Sequence, residues 1–259
     1  MKKVFSFCNQ KGGVGKTTTA INVAAALSEK GYKILMIDLD PQGNTTSGFG
    51  IEKGDDTKSI YEVLLSQAEW SDVIIKTSFK NIFVVPAQSS LAGAEIELVN
   101  EYGREFVLKN KMEQLASEFD LVFIDCPPSL GLLTINAMVS SDWLIVPLQC
   151  EYYALEGLSQ LLATINLVKD RLNSNLDIFG VVMNLDDFRT NLTSQVIDEV
   201  RNYFDKKVFE TVIPRSVRVS EAPSFGQPAV FYDRYNKGSL CYIKVAEEIV
   251  KRGKEYGIL

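Results

Sequence analysis

The sequence predicts an α/β fold: a doubly wound, mostly parallel sheet flanked by helices on both faces. Three observations carry that expectation. Apolar runs at 33–40 and 121–125 are nearly continuous, as in strands buried on both faces of a parallel sheet. Stretches of helical periodicity alternate with such runs along the chain, the pattern of βαβ units. Finally, an apolar run at 4–8 leads through a glycine-rich turn into a helical segment, and a strand–turn–helix of this kind can hold phosphate.

In chain order, the first strand covers 4–8 and the first helix runs from about residue 17 to residue 30. That helix carries Ile21, Ala24, Ala25 and Leu27 or Ser28 on one face and stops at Gly31, a usual C-terminal cap residue. The strand at 33–40 ends in Asp38 and Asp40, and the following Pro41-Gln42-Gly43-Asn44 cannot continue it. A short helix is expected at 60–66 and a strand at 81–86. Helices at 92–99 and 104–119 precede the strand at 121–125, which Cys126-Pro127-Pro128 halts. Further strands are expected at 143–147, 178–183 and 209–213, with helices at 155–172, 193–204 and 238–251. No repeat, low-complexity stretch or linker interrupts the 259 residues, so residues 1–259 are expected to form a single domain.

Composition narrows the chemistry. A hydrophobic content of 46% is enough for a sizeable core, and no apolar run nears the roughly 20 residues of a membrane span. The basic N-terminus runs into the glycine-rich turn without room for a signal peptide, so a cytoplasmic protein is expected. Histidine is absent, which rules out serine–histidine–aspartate catalysis and histidine-ligated metal centres. Cys8, Cys126, Cys150 and Cys241 are scattered without a CxxC pair and read as small buried hydrophobes. The net charge of −6 is regional: residues 52–120 hold 13 acidic and 7 basic side chains. Whole-chain charge therefore gives no support to nucleic-acid binding, which would need a local basic face.

The turn itself reads Lys11-Gly12-Gly13-Val14-Gly15-Lys16-Thr17-Thr18. Glycines let successive backbone N–H groups point into one concavity, and the helix that follows adds its unpaired N–H groups and positive dipole end. Lys16 can reach the β- and γ-phosphates of a nucleotide, and the Thr17 hydroxyl can ligate Mg²⁺. Ligands of open α/β sheets sit at the carboxyl ends of strands beside a switch point. Two more strand ends carry matching chemistry. Asp125, after four apolar residues, fits a Mg²⁺-holding acid. Asp40 is placed to orient a water for attack on the γ-phosphate, with Asp38 on the same strand face toward the metal's shell.

An ordinary phosphate loop has glycine where this chain has Gln10, and here a second lysine, Lys11, follows it. This deviant loop resembles that of the ParA/MinD ATPases. Further strings narrow the resemblance: Asp38-Leu39-Asp40-Pro41-Gln42-Gly43-Asn44, Asp125-Cys126-Pro127-Pro128-Ser129-Leu130-Gly131, 149–157, 189–192 and 212–223 are similar to chromosomal ParA (Soj) proteins, over residues 1 to about 250. The resemblance implies a nucleotide-sandwich homodimer that binds ATP and Mg²⁺, with Lys11 crossing to the nucleotide of the other subunit. It also implies ATP-dependent, sequence-independent binding of double-stranded DNA and a nucleoid-associated location. A ParB-type partner would stimulate slow ATP hydrolysis and release. Pro214 and Ser216 would lie near adenine and ribose, and Arg189 and Arg218 fall in segments that would contact DNA phosphates. Two departures are visible: Ser216 stands where the family often has Asn, and 184–187 reads Asn-Leu-Asp-Asp.

Rival readings share the fold. A MinD-like positioning ATPase needs a membrane-seeking C-terminal helix, but Glu247 and Glu248 interrupt the polar face of the last helix. A metabolic ligase of the dethiobiotin or cobyrinate synthetase kind is expected to carry extra substrate-binding insertions. A nitrogenase-type iron protein needs two cluster cysteines, a pattern that Cys126 and Cys150 do not fit.

Overall fold

The computed structural model describes residues 3–54, 57–115, 118–151, 154–184 and 191–259. Its seven strands are β1 (Lys3–Phe7), β2 (Ile34–Asp38), β3 (Ile75–Lys76), β4 (Ile82–Val85), β5 (Leu121–Asp125), β6 (Trp143–Gln149) and β7 (Asp177–Asn184). They form one sheet in the order β3-β4-β2-β5-β1-β6-β7. All pairings are parallel except the antiparallel β3–β4 edge. The chain runs from β1 to β2 on one side and later adds β6 and β7 on the other, with β5 inserted beside β1. Strand order thus reverses at β1, and the loop after β1 opens at that switch point.

The strands alternate as parallel buried strands should. Phe5, Phe7, Met36 and Phe123 face one core, Val4, Leu35, Ile37, Val122 and Ile124 the other. Among the described residues, the α-helices run from α1 (Lys16–Glu29), α2 (Asn44–Gly48), α3 (Ile60–Leu64) and α4 (Trp70–Val73) to α5 (Leu91–Glu97) and α6 (Val107–Glu113). Then follow α7 (Leu132–Ser140), α8 (Ala154–Arg171), α9 (Asn191–Phe204), α10 (Val217–Glu221), α11 (Ala229–Tyr232) and α12 (Lys237–Glu255). Helices α1 and α12 cover the phenylalanine face, where Tyr242, Val245, Ala246 and Ile249 of α12 are buried. Helices α3 and α5–α9 contribute to the opposite core. The apolar side of α12 is therefore spent on the sheet, and its Glu247 and Glu248 are tied to Lys30 and to the backbone at 210–211. No helix among the described residues is long and apolar enough to cross a membrane.

Two expected elements change. Residues 209–213 lie along β7 but form no strand. Phe209 N donates to Val181 O (2.9 Å) and Ile213 N to Met183 O (2.8 Å), while the intervening Glu210 and Thr211 N–H groups are taken by the Glu248 carboxylate. A side chain thus replaces the middle rungs and covers the sheet edge. The helix expected at 104–119 splits into a 3₁₀ turn (Arg104–Phe106) and α6, which closes in i→i−3 bonds at Gln114 and Leu115. Cys8, Cys126 and Cys150 are buried and Cys241 half-buried, all as free thiols.

Candidate active site

The phosphate loop is held open from beneath. Cys8 N donates to Ile145 O, and the Asn9 side chain donates to Pro147 O (2.7 Å) while accepting from Lys11 N (3.0 Å). These bonds fasten the start of the loop to β6. Gly13 and Gly15 are left-handed, at φ 75° and 84°, a conformation that costs any other residue free energy. A Cβ on Gly15 would lie 2.9 Å from Asn184 Nδ2. Gly15 is also the N-cap of α1, with no side-chain cap and no acidic residue in the first turn. The helix therefore turns unsatisfied N–H groups and its dipole toward the loop. Lys16 is buried, with Nζ 3.3 Å from Lys11 O, a partner inside its own loop.

The carboxylates gather beside it. Phe7 and Asp38 are both register partners of Asp125, so β1, β2 and β5 end at one level. Asp125 Oδ2 accepts from Thr17 Oγ1 (2.7 Å) and Thr45 Oγ1 (2.8 Å). Burial pushes the Asp125 carboxyl up to about 6, against the opposing pull of the Thr17 and Thr45 hydroxyls and the Lys16 charge. Asp38 is pushed up to about 7 by burial and then by the neighbouring Asp125 charge. Both of its oxygens are engaged: Oδ2 by Thr46 N and Oγ1, Oδ1 by Asp40 N. Asp38 thereby holds the turn that carries Asp40, whose Oδ1 accepts from Gln42 N (3.0 Å).

At the mouth, Glu151 bridges Lys11 (3.0 Å) and Arg215 (3.3 Å). Pro214 is buried directly after the Ile213 bond to β7, and Ser216 caps α10 while donating to Asn236 Oδ1 (2.7 Å). Lys11, Gly12, Gly13, Val14, Gly15, Lys16, Thr17 and Thr18 thus share one end of the sheet with Asp38, Asp40, Asp125, Pro214 and Ser216. Arg218 is exposed and paired with Glu221 (2.5 Å) and Asp233 (3.5 Å). Arg189 lies outside the described residues.

Four residues here carried no distinct sequence signal. Glu151 and Arg215 fall inside strings that carry the family resemblance but have no role in it, Thr45 lies just past the string that ends at Asn44, and Asn184 figures only as a departure from the family pattern. Asn184 Nδ2 bonds Val14 O and Thr19 Oγ1 (3.0 Å each), pinning loop to helix from the end of β7.

Nucleotide and Mg²⁺ fit this arrangement. Three buried side-chain acceptors among the described residues lack a partner: Gln10 Oε1, Asp125 Oδ1 and Asn184 Oδ1, all around the loop. Buried acceptors without partners are rare in folded proteins, and here they mark where a ligand and its ions belong. No cluster of three or more metal-binding side chains occurs among the described residues. One carboxylate beside one hydroxyl suits Mg²⁺ shared with phosphates rather than a closed protein cage.

A profile for the AAA domain family matches residues 2–178. The sporulation initiation inhibitor protein Soj of Bacillus subtilis is 52% identical over 253 residues, 98% of this chain and 100% of its own. The chain belongs to the Soj/ParA family. Another Soj/ParA relative, the chromosome-partitioning ATPase Soj of Treponema pallidum, is 46% identical over 252 residues, 97% of this chain and 98% of its own. Among solved structures, the cobyrinic acid a,c-diamide synthase of Mycobacterium smegmatis, with bound ADP and magnesium, superposes with a TM-score of 0.86 at 37% identity. It covers 99% of this chain and 97% of its own.

Proposed function

We propose that this chain is a Mg²⁺-dependent ATPase that partitions DNA, working as a single domain over residues 1–259. The observation that carries the reading is the Thr17–Asp125 pair: a hydroxyl 2.7 Å from one carboxylate oxygen, with the other oxygen buried and unpartnered. Thr17 and Asp125 would hold the metal, and Asp38 would orient its surroundings through the turn it anchors. Bound there, Mg²⁺ supplies charge neutralisation for the β- and γ-phosphates. The N–H groups from Gly12 to Thr18 wrap the phosphates, and Lys16 leaves its carbonyl partner to meet them. Asp40 holds the attacking water in line. Pro214 and Ser216 border the adenine and ribose.

The finer assignments follow the family. ATP draws two copies into a sandwich homodimer in which Lys11 leaves Glu151 for the partner's nucleotide. That dimer holds double-stranded DNA through Arg189 and Arg218, at the nucleoid of a cytoplasmic protein that does not bind membrane. A ParB-type protein stimulates hydrolysis and release. Arg218 must first exchange Glu221 and Asp233 for phosphate. Phosphate contacts carry no sequence information, so retention should ignore DNA sequence and weaken steeply with salt. Retention of an unrelated-sequence duplex that requires ATP, and is lost in the Arg189→Ala, Arg218→Ala double variant while ATP binding persists, tests this reading. Equal retention by that double variant moves the DNA surface elsewhere.

A second reading, ATP-dependent activation of a carboxylate in biosynthesis, is favoured by the 37% identity with the solved cobyrinic acid a,c-diamide synthase. The two chains cover each other almost end to end, 99% of this chain and 97% of the solved one. Phosphate release with ATP as the only substrate favours partitioning. Release strictly dependent on a carboxylate cosubstrate favours ligation.

A further inference from the structure

The following inference deepens the ATPase reading and rests on it. We propose that Thr45 is a positioning residue that selects which oxygen of Asp125 faces the metal and couples that carboxylate to the Asp40 turn.

The topology places Thr45 for this task. Strand β5 lies between β1 and β2, so the connections after β1 and β2 flank Asp125 on its two sides. Thr17 arrives from α1, after β1, and Thr45 from α2, after β2. Both hydroxyls end on the same oxygen, Oδ2, at 2.7 and 2.8 Å, and Oδ1 is left buried without a partner. An aspartate carboxylate turns readily about its last torsion. Held by Thr17 alone, it can pivot about a single contact and exchange its oxygens. A second donor from the opposite flank fixes the plane and keeps Oδ1 as the open ligand position.

The coupling follows from local connectivity. Thr45 and Thr46 are consecutive, fully buried, and donate to different strand ends: Thr45 to Asp125 and Thr46 to Asp38. Thr46 Oγ1 also accepts from Ala87 N (3.0 Å), tying α2 to the chain beyond β4. Just upstream, Gly43 N bonds to Asp40 O (2.8 Å) and Gln42 N to Asp40 Oδ1 (3.0 Å). A shift of Asp125 is therefore passed through one five-residue helix to the Asp40 carboxylate. Metal occupancy and the orientation of the attacking water share this link. A hydroxyl has one proton to give, and Thr45 gives it to Asp125. Serine can do the same, whereas valine, of nearly equal shape, cannot.

The test is a Mg²⁺ titration of the binding of a fluorescent ATP analogue, repeated with the metal chelated. Groups that orient a metal ligand typically contribute 10–100-fold to metal affinity. Thr45→Val is expected to raise the half-saturating Mg²⁺ concentration about tenfold or more. Its metal-free affinity should stay within about twofold, and Thr45→Ser should lie within about threefold of wild type, both well below the effect of losing a group that orients a metal ligand. Should the valine variant fail to fold, Thr45→Ala takes its place against the same serine control. Equal Mg²⁺ midpoints for the hydroxyl-bearing and hydroxyl-free variants would overturn the proposal. So would a metal-free affinity that falls as far as the metal-dependent one, the mark of a merely structural role. A wild-type protein whose ATP binding ignores Mg²⁺ would overturn the ATPase reading and this inference with it.

Discussion

Asp125 should make Mg²⁺ binding depend on pH in a range where most carboxylates do not titrate. The perturbation is a change from pH 8 to pH 5 at constant ionic strength. Only the ionised carboxylate ligates the metal, and burial lifts this one to about 6. At pH 8 it is almost fully ionised, and at pH 5 only about a tenth is, each further pH unit removing about tenfold. Acidification should thus weaken Mg²⁺ affinity by roughly tenfold between pH 7 and pH 5, with little change above 7. The nucleotide's phosphate titrates near 6 as well, so the quantity to compare is the ratio of wild type to Asp125→Asn at each pH. That ratio should fall with acidity. A ratio constant from pH 8 to pH 5 would show that Asp125 is not the metal's carboxylate, or that its surroundings do not raise it.

The same burial gives the free protein an opposite-looking trend. Asp38 and Asp125 are both raised above their ordinary value, so the folded state keeps protons that the unfolded chain releases. Stability of the nucleotide-free protein should therefore rise as pH falls through 7 and 6 and level off near 4, by on the order of a few kcal/mol at most; a thermal melt at each pH checks it. Asp40→Ala should bind ATP without turnover and collect as a dimer, whereas Lys11→Ala should stay monomeric, and size-exclusion chromatography with ATP must separate the two. Gly15→Ala should lower the melting temperature by several degrees, since it adds about 1–2 kcal/mol of left-handed strain and a Cβ 2.9 Å from Asn184 Nδ2; an unchanged melt would contradict the loop geometry. Glu221→Gln should strengthen DNA retention by leaving Asp233 as the remaining carboxylate on Arg218, and removing either arginine should flatten the salt slope by about one.

The fold class was legible because parallel strands buried on both faces leave uninterrupted apolar runs, and β2 and β5 are such runs. The candidate site was legible as a grouping where chemistry is concentrated in consecutive residues, as in the loop from Lys11 to Thr18, or at the end of a buried strand, as at Asp38 and Asp125. Other parts were not. Helix α7 is apolar on nearly every side because it packs between the sheet and its neighbours, so it shows no helical period. Strand β3 is two residues long. Residues 209–213 have strand composition, yet the carboxylate that replaces their rungs comes from Glu248, far along the chain. Thr45 and Asn184 act through contacts 80 and 170 positions away in sequence, which no local pattern records. Arg218 falls in a segment whose family resemblance implies DNA contact, and in the structure it is paired with Glu221 and Asp233.

The most direct test of the central claim is phosphate release from MgATP by the full chain, alone and with double-stranded DNA and its ParB-type partner, beside Lys16→Ala. The account predicts slow release by the protein alone, faster release with partner and DNA together, and none above background from Lys16→Ala in either condition. Release at the wild-type rate by Lys16→Ala, or no release by wild type under any of these conditions, would contradict it.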